Sequence, residues 1–278
     1  MLSINPFSEL STVISPMTMQ IYVIAMFLLV IGGTILDMIH KKSAQYFFEN
    51  SKKAENNAAK TISSGEKVSL AVKTVANEVL TSAEFENPKR RISHLLTMYG
   101  FILFVCSTAI LIFFYPTEAQ AGIWPILWHL GAIMLCVGGY WFWFAIRVDL
   151  FSEGKAWHDV SRADMFIVSL LATCTFALIW SLLKSTGIGW LFFALFIASS
   201  TFLFSTVLWS KFAHMFFKPA AAFQKRVVKA DGSRENMPDE YDLTDPEVQE
   251  KYPDIPEYMG KNPPNMGLGI KREAPNHY

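Results

Sequence analysis

KRRISHLLTMYGFILFVCSTAILIFFY, Lys89–Tyr115, is the segment that settles the architecture. Three consecutive cations lead into Ile92–Tyr115, a run with no Asp, Glu, Lys or Arg. Crossing a hydrocarbon core of about 30 Å takes roughly 20 apolar residues. A backbone in lipid must also satisfy its own hydrogen bonds, so a run of this kind reads as a membrane-spanning helix. On either side of it four further runs qualify: Met17–Ile39, Trp124–Ile146, Ala163–Leu183 and Gly187–His214. The whole chain fits, being 52% hydrophobic and only 17% charged, whereas soluble domains carry about 25% charged residues. The expected fold is an all-α membrane protein, a bundle of five transmembrane helices. The first run is not expected to be a cleavable signal: no cation precedes it, and Gly32, Gly33, Asp37 and His40 do not form a small-residue cleavage site.

The cations orient the bundle. Ten of them lie between Lys41 and Arg91, three (Arg147, Lys155, Arg162) between the third and fourth runs, and ten from Lys211 onward. The residues before Met17 and the Pro116–Ile123 loop hold none, and the connection after the fourth run holds Lys184 alone. Lys and Arg concentrate on the cytoplasmic side. The expected organisation is therefore a periplasmic N-terminus (1–16), a first span (17–39), a cytoplasmic loop (40–91), a four-span bundle (92–218) and a cytoplasmic tail (219–278). The formal net charge is zero, and no nucleic-acid partner is expected.

Outside the spans, Ile62, Val68, Leu70, Val72, Val75 and Val79 are spaced for an amphipathic helix within Lys60–Leu80, suited to a surface or a partner. From Pro219 onward the chain holds eight of its thirteen prolines and cannot bury enough apolar area to fold alone. Its tyrosines and the closing MGLGIKREAP segment predict an extended arm ordered against a soluble partner, with a solvated tail as the alternative. No internal repeat is evident, which argues against inverted-repeat transporters.

Ionisable residues inside a span are costly and mark function. His94 lies one turn into the second run and His214 near the end of the fifth. Those runs cross in opposite directions, so both imidazoles fall at the same depth beneath the cytoplasmic surface. Two imidazoles facing each other across a bundle can hold a haem iron, leaving no open position for oxygen chemistry. Arg90, Arg91, Lys211 and Lys218 are placed to neutralise the propionates. The alternative for each histidine is an interfacial polar residue with no ligand role. His129, at the outer end of the third run, is expected either to contact a quinone carbonyl or to make a structural hydrogen bond. His40 and His158 read as ordinary interface residues, with either as the axial ligand in place of His94 or His214 as the alternative. Cys106, Cys136 and Cys174 read as packing residues, with no CxxC for a covalent haem or cluster. Gly32, Gly33, Gly131, Gly138 and Gly139 allow close helix approach.

RISHLLTMYGFILF, SRADMFIVSLLATC and LWSKFAHMFFKP, on five spans, resemble the cytochrome b membrane subunits of the respiratory nitrate reductase gamma type, a group that includes the membrane parts of heterodisulfide reductases and quinone-interacting oxidoreductases. The resemblance covers roughly residues 17–220. Within the group, PEYMGKNPPNMGLGIKREAP is most similar to the tail of membrane subunits that accompany adenylylsulfate reductase. The resemblance implies one haem b held by His94 and His214, a membrane quinone as redox partner, a cytoplasmic flavin and iron–sulfur reductase docked on loop and tail, and a bacterial cytoplasmic membrane. It also implies that a second haem is missing, because its ligands would fall near Phe104 and Phe196, and phenylalanine cannot ligate iron. The chain holds no nucleotide fingerprint, so adenylylsulfate chemistry belongs to the partner. Two other classes remain open on sequence: a haem-free scaffold that recruits a soluble enzyme, and a small-molecule transporter.

Overall fold

Asn87 and Pro88 set where the second apolar run begins its helix. The Asn87 side chain accepts hydrogen bonds from the amides of Lys89 (3.0 Å) and Arg90 (3.4 Å), and Pro88 occupies the first helical position. Both are favoured there, the one filling amides the helix leaves orphaned and the other lacking an amide to orphan. In the computed structural model, which describes residues 2–83, 85, 87–147, 157–209, 212, 214–235 and 242–259, this helix spans Pro88–Phe114. It starts a turn before the apolar run does, and so brings Lys89, Arg90 and Arg91 into the helix.

The order of elements is α1 (Pro16–Lys41), α2 (Ser43–Asn56), α3 (Ser64–Thr74, continued by a π-helical turn over Val75–Leu80), α4 (Pro88–Phe114), α5 (Trp124–Trp141, continued by a π-helical turn over Phe142–Ile146), α6 (Met165–Leu183), α7 (Gly189–Ser205), α8 (His214–Ala230), α9 (Pro246–Lys251) and α10 (Asp254–Met259). No strand occurs among the described residues. Among the described residues four helices are long and apolar enough to cross a membrane: Pro16–His40, Pro88–Phe114, Trp124–Ile146 and Met165–Leu183.

The fifth apolar run is shorter than expected as a helix. α7 has 17 residues, about 26 Å at 1.5 Å per residue. Its end has a local cause. The hydroxyls of Ser205 and Thr206 donate to the Phe202 carbonyl (3.3 and 2.8 Å), and the Trp209 amide turns back to the Thr206 carbonyl (3.0 Å). Such side chains compete with the helical ladder. Val207 and Phe212 then fold into the core instead of prolonging the helix, and the chain restarts at His214 as the amphipathic α8.

α4 and α5 pack antiparallel with their backbones in near contact. A Cβ on Gly131 would sit 2.6 Å from the Phe104 amide nitrogen and 2.9 Å from the Gly100 carbonyl oxygen; one on Gly100 would sit 2.8 Å from the Leu135 amide nitrogen. Two turns toward the start of α4, the Ser93 hydroxyl donates to the Gly138 carbonyl across the same seam at 2.8 Å. Around this pair an aromatic core joins Phe104 to Trp128 (5.1 Å between ring centres) and Trp180 to Phe196 (5.9 Å, stacked).

Two ends of the bundle differ. At one, the N-terminal segment folds over the helices: Asn5 donates to the carbonyls of Tyr115 (2.7 Å) and Glu118 (3.0 Å), Phe7 packs on Trp128 and Trp180, and Glu9 pairs with Lys184 at 2.7 Å. At the other lie α2, α3 and α8. The expected amphipathic helix appears as α3, opened by a capping box in which Ser63 and Glu66 satisfy each other's amides. α3 and its π-helical turn pack against α8, where Arg226 pairs with Glu78 at 2.7 Å, and the Asp231 carbonyl accepts from the Ala59 and Lys60 amides. Val68, Val72 and Val75 form an exposed stripe on α3. The tail contributes α9 and α10, while the MGLGIKREAP segment lies outside the described residues.

Gly131→Ala is expected to lower thermal stability in detergent by about 1–3 kcal/mol, since the methyl group meets backbone that cannot move aside. Gly32→Ala, with nothing within 4 Å of the added carbon, should leave the melting temperature unchanged or slightly raised.

Candidate functional site

The 80–85 segment, between α3 and α4, is gripped by α4. Tyr99 donates its hydroxyl to the Leu80 carbonyl (2.7 Å), and Arg91 donates Nε–H to the Thr81 carbonyl (2.7 Å). Ser82 places its Oγ 3.0 Å from His94 Nδ1. Ser82 is fully buried and holds φ at +48°, a left-handed conformation that costs a non-glycine residue about 1 kcal/mol. That strain is sustained by the bonds on either side of it, including the Ala83 amide to the Asn77 carbonyl (2.8 Å) and the Phe85 amide to the Ser82 carbonyl (3.1 Å).

Phe85 is the hub of a cluster at this end of the bundle. Its ring lies 4.9 Å from the His94 ring, with the Arg90 guanidinium carbon 5.3 Å and the Lys218 ammonium 5.1 Å from its centroid. Aromatic faces attract cations at this range. Three residues expected at the site from sequence, His94, Arg90 and Lys218, are therefore brought together around a fourth that the sequence did not single out. Arg91 borders the same loop. His214 is the first residue of α8, one turn before Lys218. Its side chain and the whole of Lys211 lie outside the described residues.

The other histidines separate from this cluster. His129 is 3% exposed, and both its nitrogens are engaged: Nδ1 with the Pro125 carbonyl and Nε2 with the Ser181 hydroxyl, each at 2.7 Å. A carbonyl can only accept, so Nδ1 carries the proton and Ser181 donates to Nε2. Of the two roles expected for His129, the structural bond is the one this geometry makes, tying α5 to α6. His40 and His158 are exposed, with His158 Nε2 3.9 Å from Asp159.

A second staple joins the residue that follows the π-helical turn of α5 to the residue that precedes α6. Arg147 donates from Nε to Asp164 (2.9 Å) and from a terminal nitrogen to the Asp159 carbonyl (2.6 Å), and its guanidinium lies 4.1 Å from the Trp143 ring centre. Burial pushes the Asp164 carboxyl up, but the Arg147 guanidinium and the Ser161 hydroxyl and amide outweigh it and hold the group at about 2, below the ordinary 3.8.

Among the described residues no group of three or more His, Cys, Asp or Glu side chains is close enough to hold a metal ion. A haem iron between two imidazoles asks for only two. The chemistry at His94 suits one: a ligating imidazole characteristically engages its other nitrogen in a hydrogen bond that orients the ring, and the Ser82 hydroxyl stands within that reach of Nδ1. Ser82, Phe85 and Tyr99 were invisible to sequence reasoning. The one signal in the sequence is at Phe85, an aromatic set between two glutamates just before α4.

The architecture defines an all-helical protein with the spans of a multi-pass membrane protein. Comparison with family models, curated proteins and solved structures found no match.

The Asp164 pair has a pH signature. Because its folded-state value is depressed, its contribution to stability is complete above 3.8 and is lost as pH falls toward about 2. Acid unfolding of Asp164→Asn, followed by tryptophan fluorescence, should lack that component, and the difference from the parent should vanish at the acid end of the titration.

Proposed function

We propose that the chain is a five-span electron-transfer anchor of a bacterial cytoplasmic membrane, N-terminus periplasmic, that binds one haem b between His94 and His214. Its soluble partner is a cytoplasmic flavin and iron–sulfur adenylylsulfate reductase, and its membrane partner is quinone. The observation that carries this reading is the cluster around Phe85, where His94, Arg90 and Lys218 meet with His214 one turn away in the chain. Haem b, when bound, supplies a one-electron relay between the soluble reductase and the quinone.

The chain's own residues have distinct tasks in this reading. The Ser82 hydroxyl, 3.0 Å from Nδ1 of His94, would steady the ring of this ligand. Arg90 and Lys218 supply positive charge for carboxylates. Three cations in the first turn of α4 oppose the helix dipole, which favours anions at that end. Two propionates there would offset that repulsion. The excess of Lys and Arg in 41–91 and after 211 supports the orientation. α7 is counted as the fifth span because it joins the end holding Lys184 to the end holding α8, and a bilayer adjusts to a helix a few ångströms short. The partner assignment rests on the resemblance of the tail, with the exposed valine stripe of α3 as a second contact on the same side.

A reduced-minus-oxidised absorbance spectrum of the purified protein tests the proposal. The b-type bands should appear in the parent and disappear in both His94→Ala and His214→Ala, with the variants still folded by thermal unfolding. Ser82→Ala should retain haem but hold it about tenfold or more less tightly. A haem-free preparation from haem-replete cells would leave the scaffold reading in place of this one.

A further inference from the structure

A cavity of about 410 Å³ lies between α1, α4, α6 and α7, closed below by Phe212 and the start of α8. Phe104 and Phe196, whose rings meet at 6.3 Å, form part of its inner wall. Its opening faces sideways. Phe27 and Ile31 of α1 and Met215 and Phe216 of α8 all line it, and they are 36–55% exposed. On a chain embedded as proposed above, that opening meets bilayer hydrocarbon.

The cavity holds four polar side chains, and each is already engaged. Thr108 donates to the Phe104 carbonyl (2.7 Å), Thr173 to the Ser169 carbonyl (2.8 Å) and Ser200 to the Phe196 carbonyl (2.7 Å). The Tyr22 hydroxyl bonds the Ile197 carbonyl (3.2 Å) and Thr201 (3.0 Å). Each of these hydroxyls has spent its proton inside the protein, so a polar occupant would find no donor among them and would give up its water partners for little in return. Hydrocarbon loses nothing. The walls also discriminate between hydrocarbons: seven of the nineteen lining residues are phenylalanine and two are methionine. Flat rings and polarisable sulfur match planar, polarisable alkene units better than a flexing saturated chain.

We infer that this cavity binds a polyprenyl chain entering from the bilayer between α1 and α8. The site stands on its own lining. Where the chain works as proposed above, the occupant is the tail of the quinone, which deepens that reading and rests on it for the quinone alone. The absence of any polar recognition inside places the head group of such a ligand outside the cavity.

The test is photolabelling of the full chain in phosphatidylcholine nanodiscs with an all-trans polyprenol bearing a terminal diazirine. A phosphatidylcholine with the diazirine on its acyl chain serves as the comparison probe. The expected result is prenyl labelling on cavity-lining peptides of α1 and α7, competed by unlabelled polyprenol. It should be lost in Val30→Trp and in Ser200→Phe, which fill the cavity from opposite walls, and kept in Leu28→Trp, whose site is 62% exposed and outside the cavity. Monodispersity and melting temperature confirm that the filled variants fold. Equal labelling by both probes, or labelling indifferent to filling, would overturn the inference, because either marks ordinary surrounding lipid. The absorbance spectrum of the same samples separates the two proposals: loss of haem without loss of prenyl labelling rejects the relay and leaves this site standing.

Discussion

Everything at the charged end of the bundle follows from how α4 is turned, and the contact of Gly100 with Gly131 turns it. With no side chain between them, the backbones of α4 and α5 approach to near contact, and the Ser93–Gly138 bond fixes rotation as well as distance. Ser93 faces α5. Its neighbour His94, about 100° further round a helix with 3.6 residues per turn, must face elsewhere, and it meets the 80–85 segment and Phe85. Arg90, one turn earlier, and Arg91 and Tyr99 grip the same segment. A packing requirement between two apolar helices thus decides which polar residues can meet on the far side of one of them.

The strained turn at Ser82 has its origin in the same geometry. A buried left-handed serine is stable only where its surroundings over-determine it. Here Tyr99, Arg91 and His94 hold carbonyls and hydroxyl on one side, and the Asn77 carbonyl holds the Ala83 amide on the other. α8 completes the cluster through Lys218, and Arg226–Glu78 ties α8 to the turn after α3. The segment between α3 and α4 is therefore part of the site's wall.

What could be read from sequence divides along the same line. Spans were legible because membrane length and backbone self-satisfaction leave few solutions for a long uncharged run. Helix ends were less so: Asn87–Pro88 starts α4 before the apolar run does, and Ser205 and Thr206 stop α7 well short of the run's end at His214. Hydropathy weighs all these residues only by polarity, whereas Asn87, Ser205 and Thr206 act through local hydrogen bonds and Pro88 through the amide it lacks. The shared neighbourhood of His94, Arg90 and Lys218 was legible from the antiparallel sense of the second and fifth runs. Ser82 and Phe85 were not, because a loop's path over a helix is set by contacts distant in space. His129 was legible as buried and polar, but its partner Ser181 lies 52 residues away, and only the fold brings it near.

The two ends of the bundle are built by opposite means, and this bears on where exchange with the surroundings can occur. At the N-terminal end, Asn5 satisfies three loop groups, Phe7 plugs the space between Trp128 and Trp180, and Lys184 is paired with Glu9. His129 and Ser181 saturate each other beneath them. At that end the polar groups of Asn5, His129 and Ser181 are hydrogen-bonded within the protein and Lys184 is held by the charge of Glu9. The cavity lies between α1, α4, α6 and α7, opens to the side, and has its four lining hydroxyls bonded within the protein. Charged side chains that could serve a redox partner gather at the opposite end, around Phe85. On the reading proposed above, a chain arranged this way would take an apolar ligand through its flank and meet a soluble protein at the face that gathers the cations.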